Sequence, residues 1–111
     1  MNVPHFSKSP EACENLQEIR QEIDAIDQDV VRLLGWRFEY VKAAARFKTT
    51  AQSVNADERV NSMLQQRRVW AEQAGIAPEI IEKLYRELIQ YFIQEEMRAW
   101  QKQQVSAGND V

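Results

Sequence analysis

A chain of 111 residues, 44% of them hydrophobic and 28% charged, has the size and composition of one globular domain. Its net charge of −3 argues against nucleic acid or an anionic membrane as the main partner, because those surfaces select basic proteins. Three glycines and three prolines are too few turn-forming residues for an all-β fold. We therefore expect an all-α protein with a few long helices.

Cysteine and histidine are scarce, which limits the chemistry. Cys13 and His5 are the single members of their types, so neither an intrachain disulfide nor a thiolate metal cluster can form. We expect no metal, no cofactor and no histidine acid–base chemistry. No apolar run reaches the ~18 residues of a membrane span, and no signal-peptide core precedes Cys13. The expected location is the cytoplasm.

The breaks along the chain predict one domain with two short tails. Residues 1–9 resemble a loose tail, after which the Ser-Pro-Glu sequence at 9–11 has the pattern of a helix start. We assign residues 10–104 to a single domain and residues 105–111 to a frayed C-terminal tail.

The first helix is predicted to be very long for so short a chain. Its apolar residues recur at alternating steps of three and four, and no proline interrupts positions 16–48. A helix of about 33 residues would measure roughly 50 Å, whereas a compact globule of this size has a radius of gyration near ~13 Å. We therefore predict three helices per chain and a homodimer that buries the apolar seam. This seam consists of Leu16, Ile19, Ile23, Ile26, Val30 and Leu33.

Two cations continue the row of the seam where apolar residues would be expected. Arg37 takes the next place, and Lys48 lies about three turns further, beyond Val41 and Ala44. Their long side chains can converge over those two residues. Arg20 also borders the seam, but it lies roughly 25 Å from Arg37, too far to share a site within one chain. The alternative for Arg20 is a solvated face with spaced ion pairs.

Residues 49–55 are small and polar and are predicted to form a loop, either a mobile lid over the two cations or a plain connection. Asn55 and Glu58 resemble a capping box, after which a second helix runs to a stop near Gly75. Arg59 falls in its first turn, where the helix dipole disfavours a cation. We expect Arg59 to reach an anion, with a plain surface position as the alternative.

The third helix is predicted to run from Pro78 to about Gln101 with a broad apolar face. Glu96 stands in that face with Ile93 and Trp100. Because a buried acid without a partner is costly, we expect the cations of the first helix to face it. The alternative is a position at the rim of the face.

A helical site with several Arg and Lys side chains, but without His, metal ligands or a glycine-rich phosphate loop, suits one kind of work. It can bind carboxylates and stabilise developing negative charge. No nucleophile is needed if the reaction is unimolecular, since orientation of a flexible dianion can then supply catalysis.

The segments carrying these residues resemble the all-helical AroQ class of chorismate mutases, and more closely its isochorismate-pyruvate lyase branch, which makes salicylate for siderophores. The resemblance covers residues 12–102. Its most specific pieces are IDAID at 23–27, GWRFEYVKAAARFK at 35–48, ERV at 58–60, Met63 and Leu64. It implies an intertwined dimer of the chorismate mutase type II fold, in which each of two sites uses Arg37, Lys48 and Arg59 of one chain and Arg20 of the other.

Two departures from the mutase pattern affect the implied activity. Mutases begin the second helix with Asp-x-x-Arg-Glu, whose Glu holds the ring hydroxyl of chorismate, but this chain has Ala56 and Val60 at the first and last places. This favours the lyase, whose substrate carries its hydroxyl elsewhere. Glu96 stands where bacterial members generally carry Gln, and an ionised Glu cannot donate a hydrogen bond. Some eukaryotic mutases have a Glu there and need it protonated.

The resemblance thus implies a cofactor-free lyase that converts isochorismate to salicylate and pyruvate by a pericyclic mechanism, with weak chorismate mutase activity. The implied catalytic residues are Lys48, Arg37 and Glu96. The implied substrate-binding residues are Arg20, Arg37, Lys48, Arg59, Val41, Ala44, Met63 and Ile93. One alternative is a chorismate mutase that makes prephenate. Another is a non-catalytic helical dimerisation module, which would not explain the cations on the seam.

Overall fold

The computed structural model of the protein describes residues 8–109, all of whose regular elements are helices. The α-helices are α1 (Leu16–Ala44), α2 (Ala51–Asn55), α3 (Asp57–Gln73) and α4 (Pro78–Asn109), with 3-10 turns at Pro10–Ala12 and Ala45–Phe47. The absence of strands from this range confirms the predicted all-α class, and α1, α3 and α4 are the three predicted long helices. No helix in this range has the length and apolarity that crossing a bilayer requires.

The chain forms two compact units, one ending at Phe38 and the other starting at Glu39. In the first unit, α1 begins later than the pattern at 9–11 predicts, because only a 3-10 turn forms there. Asn15 Oδ1 accepts a hydrogen bond from the Glu18 N–H at 2.9 Å and so satisfies one of the free donors of the first turn of α1. Asn15 therefore marks the true start of the long helix.

The apolar seam of α1 is not buried within one chain. No residue of α1 is buried, and the seam residues Leu16, Ile23, Ile26, Val30 and Leu33 are 37% to 59% exposed. The predicted burial of this seam by a second chain stays a prediction. An apolar row of this length in water is typical of a protein–protein contact.

The second unit packs around α4, which contacts α3, α2 and the 3-10 turn at 45–47. Its core lies between α3 and α4, where burial of aliphatic side chains stabilises the helix pair. The core residues are Met63, Leu64 and Ile89, with Val60, Tyr85 and Ile93 packed against them.

The C-terminal end of α3 agrees with the prediction, whereas that of α4 does not. α3 stops as predicted before Gly75, whose φ of 78° allows the Ile76 N–H to donate to the Ala71 carbonyl at 2.9 Å. α4 continues to Asn109, so the predicted end of the third helix near Gln101 is wrong. Neither glycine nor proline occurs between 79 and 107, so nothing stops the helix earlier. The division of the chain into one domain with two short tails stays a prediction. Residues 1–7 of the predicted N-terminal tail and residues 110–111 lie outside the described range.

Candidate active site

Lys48 lies just past the end of the first helix rather than on it. The 3-10 turn Ala45–Phe47 follows α1, and Lys48 has an extended backbone with φ −93° and ψ 133°. The prediction of one helix through Lys48 is therefore wrong by about one turn. Thr49 and Thr50 come next, and β-branched side chains favour extended backbone over helix.

Residues 51–55 form the short helix α2, so the prediction of a loop over 49–55 is wrong. Thr50 is the N-cap, and its Oγ1 accepts a hydrogen bond from the Ser53 N–H at 3.1 Å. Val54 is 2% exposed and anchors α2 in the second unit. A single turn of helix, held by one cap and one buried side chain, thus stands beside Lys48.

Ala56 joins α2 to α3 and excludes the predicted capping box. Its backbone is left-handed, with φ 42° and ψ 55°, and it serves as both the C-cap of α2 and the N-cap of α3. Asn55 belongs to α2 and so does not cap α3. A left-handed alanine costs about 1–2 kcal/mol, which the packing on either side must offset.

The ammonium group of Lys48 is held by acceptors from two elements. Its Nζ donates to the Ser53 carbonyl of α2 at 2.9 Å and lies 3.6 Å from Oε1 of Glu96 in α4. The Lys48 side chain keeps 26% of its surface exposed. The structure therefore brings two of the predicted catalytic residues together and leaves about a quarter of the Lys48 side chain exposed.

Glu96 is buried, with 5% of its surface exposed, so the alternative of a rim position is wrong. Burial raises the pKa of Glu96 above its usual value of 4.5, while the charge of Lys48 and the hydrogen bond with it lower that pKa. Burial has the larger effect, so the net pKa is raised. A protonated carboxyl can donate a hydrogen bond, which a carboxylate cannot.

The apolar residues predicted to shape the site all lie in the second unit. Met63 is buried in the α3–α4 core, and Ile93 packs against the same cluster. Val41 and Ala44 are half-buried near the end of α1. Their contact with a substrate stays a prediction.

The three arginines lie on two helices. Arg20 is exposed and Arg37 half-buried on α1, and Arg59 is exposed in the first turn of α3. Along α1, Arg20 and Arg37 are separated by roughly 25 Å. That the three arginines and Lys48 bind one ligand together stays a prediction. Among residues 8–109, no group of three His, Cys, Asp or Glu side chains is placed to hold a metal.

Sequence reasoning missed two partners of Lys48. One is Ser53, whose carbonyl binds the ammonium, and the other is Trp100, whose Nε1–H donates to the Lys48 carbonyl at 3.0 Å. The available signal for Trp100 was its place four residues after Glu96, which puts both side chains on one face of α4.

Comparison with known proteins identifies the family. A family model described as chorismate mutase type II matches residues 19–97. The chain belongs to the chorismate mutase type II family. This confirms the resemblance seen in the sequence.

Two known proteins are similar to this chain over most of its length. Over 95 residues the chain is 43% identical to the isochorismate pyruvate lyase of Pseudomonas aeruginosa, an alignment that covers 86% of this chain and 94% of that protein. Over 74 residues it is 38% identical to the T-protein of Haemophilus influenzae, covering 66% of this chain but only 20% of that longer protein.

Proposed function

We propose that this member of the chorismate mutase type II family is an isochorismate-pyruvate lyase, which converts isochorismate to salicylate and pyruvate and has weak chorismate mutase activity. The observation that carries the proposal is the 43% identity to the Pseudomonas aeruginosa lyase across 94% of that protein. The buried carboxyl beside the partly exposed Lys48 side chain would supply the chemistry.

The proposed reaction consumes no second reactant. One ether C–O bond breaks, and one hydrogen moves from the ring to the methylene carbon of the enolpyruvyl group, so that pyruvate leaves and the ring becomes aromatic. The ether oxygen gains negative charge as its bond breaks. Preorganised donors at that oxygen therefore stabilise the transition state more than the ground state.

Lys48 and Glu96 are the proposed donors. The ammonium of Lys48 carries a full charge, and hydrogen bonds from charged donors are about twice as strong as neutral ones. The raised pKa of Glu96 supports a protonated carboxyl that donates toward the substrate. A bound dianion would raise this pKa further, because a negative neighbour disfavours the carboxylate.

The remaining cations are proposed to bind the two carboxylates of the substrate. Arg37 and Arg59 would come from the same chain as Lys48, and Arg20 from the partner. The forked guanidinium group suits a carboxylate, which it can bind through two parallel hydrogen bonds. Holding both carboxylates would force the flexible enolpyruvyl group toward the ring, which is the contribution of orientation to catalysis.

The shared site requires a homodimer, which the exposed seam of α1 supports. Five seam residues that are 37% to 59% exposed would be covered by a second copy. Mixing Arg20→Ala chains with Lys48→Ala chains tests the sharing, because a heterodimer would keep one site with neither substitution. Activity should return on co-refolding. No return would mean that Arg20 does not act across the dimer.

Val60 favours the lyase over a mutase. Its side chain packs against the core cluster of Met63, Leu64 and Ile89 and has no polar atom to offer a ring hydroxyl. A chorismate mutase remains the alternative because the family takes its name from that activity. A purely structural dimerisation module would leave Glu96 unexplained, since burying a carboxyl is costly without a functional gain.

The experiment is to incubate the purified protein separately with isochorismate and with chorismate and to measure salicylate and prephenate. Lys48→Ala protein, purified in the same way, controls for contaminating host enzymes. The proposal expects salicylate from isochorismate at a rate well above that of Lys48→Ala. Formation of prephenate alone would assign the protein to the mutases. If neither product forms, the non-catalytic dimerisation module is the remaining alternative.

A further inference from the structure

The backbone of Lys48 is fixed by a side chain distant in sequence. Beyond the 3-10 turn, Lys48 keeps one local hydrogen bond, from its N–H to the Ala45 carbonyl at 3.2 Å. Its own carbonyl accepts the indole Nε1–H of Trp100 at 3.0 Å, across 52 positions of sequence. Carbonyls past a helix end have no partner within the helix, so this indole satisfies a group that the helix cannot.

α4 contacts Lys48 at both ends of the residue. Glu96 and Trp100 are four residues apart and so share one face of α4. The Glu96 carboxyl faces the ammonium at 3.6 Å, and the indole binds the main-chain carbonyl. Trp100 is half-buried, which shields its hydrogen bond from competing water.

We propose that Trp100 is a positioning residue, which sets the place of the Lys48 ammonium by holding the Lys48 carbonyl. This inference rests on the proposed function. The lysine side chain has four rotatable bonds, so its ammonium is placed accurately only if its backbone is fixed. A catalytic group displaced by about 1 Å can lose as much as 10² in rate, so loss of the indole donor should be visible in kcat.

Trp100→Phe removes the donor and keeps an aromatic ring. We expect kcat for salicylate formation to fall about tenfold, with KM changed by less than about twofold, because the ammonium acts mainly in the transition state. Trp36→Phe is the matched control, since Trp36 is 64% exposed on α1, and it should keep the wild-type kcat. Equal kcat for Trp100→Phe and wild type would overturn the inference.

A double-mutant cycle separates positioning from simple packing. If Trp100 acts through Lys48, Trp100→Phe should lower kcat in the wild-type background and have almost no effect in Lys48→Ala. An equal fold-loss in both backgrounds would mean that Trp100 only supports the fold. Circular dichroism melts of all four proteins record whether each is folded.

Trp100→His provides an independent measurement if the Phe variant folds poorly. The imidazole Nε2–H can lie at nearly the same distance from the backbone as the indole N–H, so it can restore the donor in a smaller ring. It should recover kcat relative to Trp100→Phe, and a kcat at or below that of Phe would count against the inference. A wild-type protein without lyase or mutase activity would instead refute the proposed function.

Discussion

Lys48 Nζ lies 3.6 Å from Oε1 of Glu96, whose surface is 5% exposed. This pair determines the electrostatics of the candidate site, because burial and the ammonium act on the carboxyl in opposite directions. Burial has the larger effect and raises the pKa of Glu96. When this carboxyl is protonated it can donate a hydrogen bond, and the ammonium then no longer faces a carboxylate, so both groups are available to an anionic ligand.

Glu96→Gln should change how the rate depends on pH. If Glu96 must be protonated to donate, the rate of the wild type rises as pH falls through its raised pKa. The amide of Gln donates at every pH in this range. Glu96→Gln should therefore make the rate less dependent on pH and increase it at neutral pH. The measurement is kcat from about pH 4.5 to 8.5 for both proteins.

Glu95→Gln is the matched control for that profile. Glu95 is the neighbour of Glu96, but its carboxylate pairs with Arg98 at 2.8 Å on α4. This variant should keep the pH profile of the wild type. If wild type and Glu96→Gln instead have identical profiles, the Glu96 carboxyl takes no part in the reaction.

Glu96→Gln should also change the stability of the protein, in a direction that depends on pH. Because its pKa is raised on folding, Glu96 binds a proton more tightly in the native state than in the unfolded chain. The free energy of unfolding therefore falls as pH rises from the usual value of 4.5 through the raised pKa. Glu96→Gln removes that loss, so its melting temperature should exceed that of the wild type at neutral pH. If the melting temperature of Glu96→Gln exceeds that of the wild type by more at pH 4 than at pH 7, the pKa of Glu96 is not raised on folding.

Lys48 is expected to matter chiefly in the transition state. Lys48→Ala should lower kcat by about 10² or more, the loss typical of one preorganised charge stabiliser, with a smaller change in KM. Lys42→Ala is a suitable control, because Lys42 lies near the end of α1 and pairs with Glu39 at 3.0 Å. A rise in KM without a fall in kcat would make Lys48 a binding group only.

The dimer proposal predicts different results at two adjacent valines. Val30 belongs to the seam, and Val31 beside it is 69% exposed on another face of α1. Val30→Glu would bury a charge in the dimer contact, so sedimentation should change from about twice 13.0 kDa toward a single chain of 13.0 kDa. Val31→Glu should remain dimeric. A wild-type monomer at micromolar concentration would rule out the shared site.

The long helices could be predicted because their signals are local and repeated. The seam of α1 and the apolar face of α4 both recur at helical spacing, and Gly75 marks the end of α3 through a backbone angle that glycine adopts readily. The helix α2 gave no such signal. Its five residues are too few for a periodicity, and it depends on the Thr50 cap and the burial of Val54.

The candidate site was predictable only in part for the same reason. The burial of Glu96 followed from its place in an apolar row. The hydrogen bonds of Lys48 to Ser53 and Trp100 depend on where the backbone leaves α1. The sequence contains no periodic signal for that exit, because a 3-10 turn and a continuing helix require similar residues.

The central claim is that the protein is a lyase rather than a mutase, and a direct competition between the two substrates tests it. Equimolar isochorismate and chorismate, mixed with one sample of enzyme, give initial rates of salicylate and prephenate formation whose ratio equals the ratio of the two kcat/KM values. Because Val60 offers no polar atom to the ring hydroxyl of chorismate, we predict that salicylate forms faster than prephenate. Faster formation of prephenate would contradict the account and make the protein a chorismate mutase.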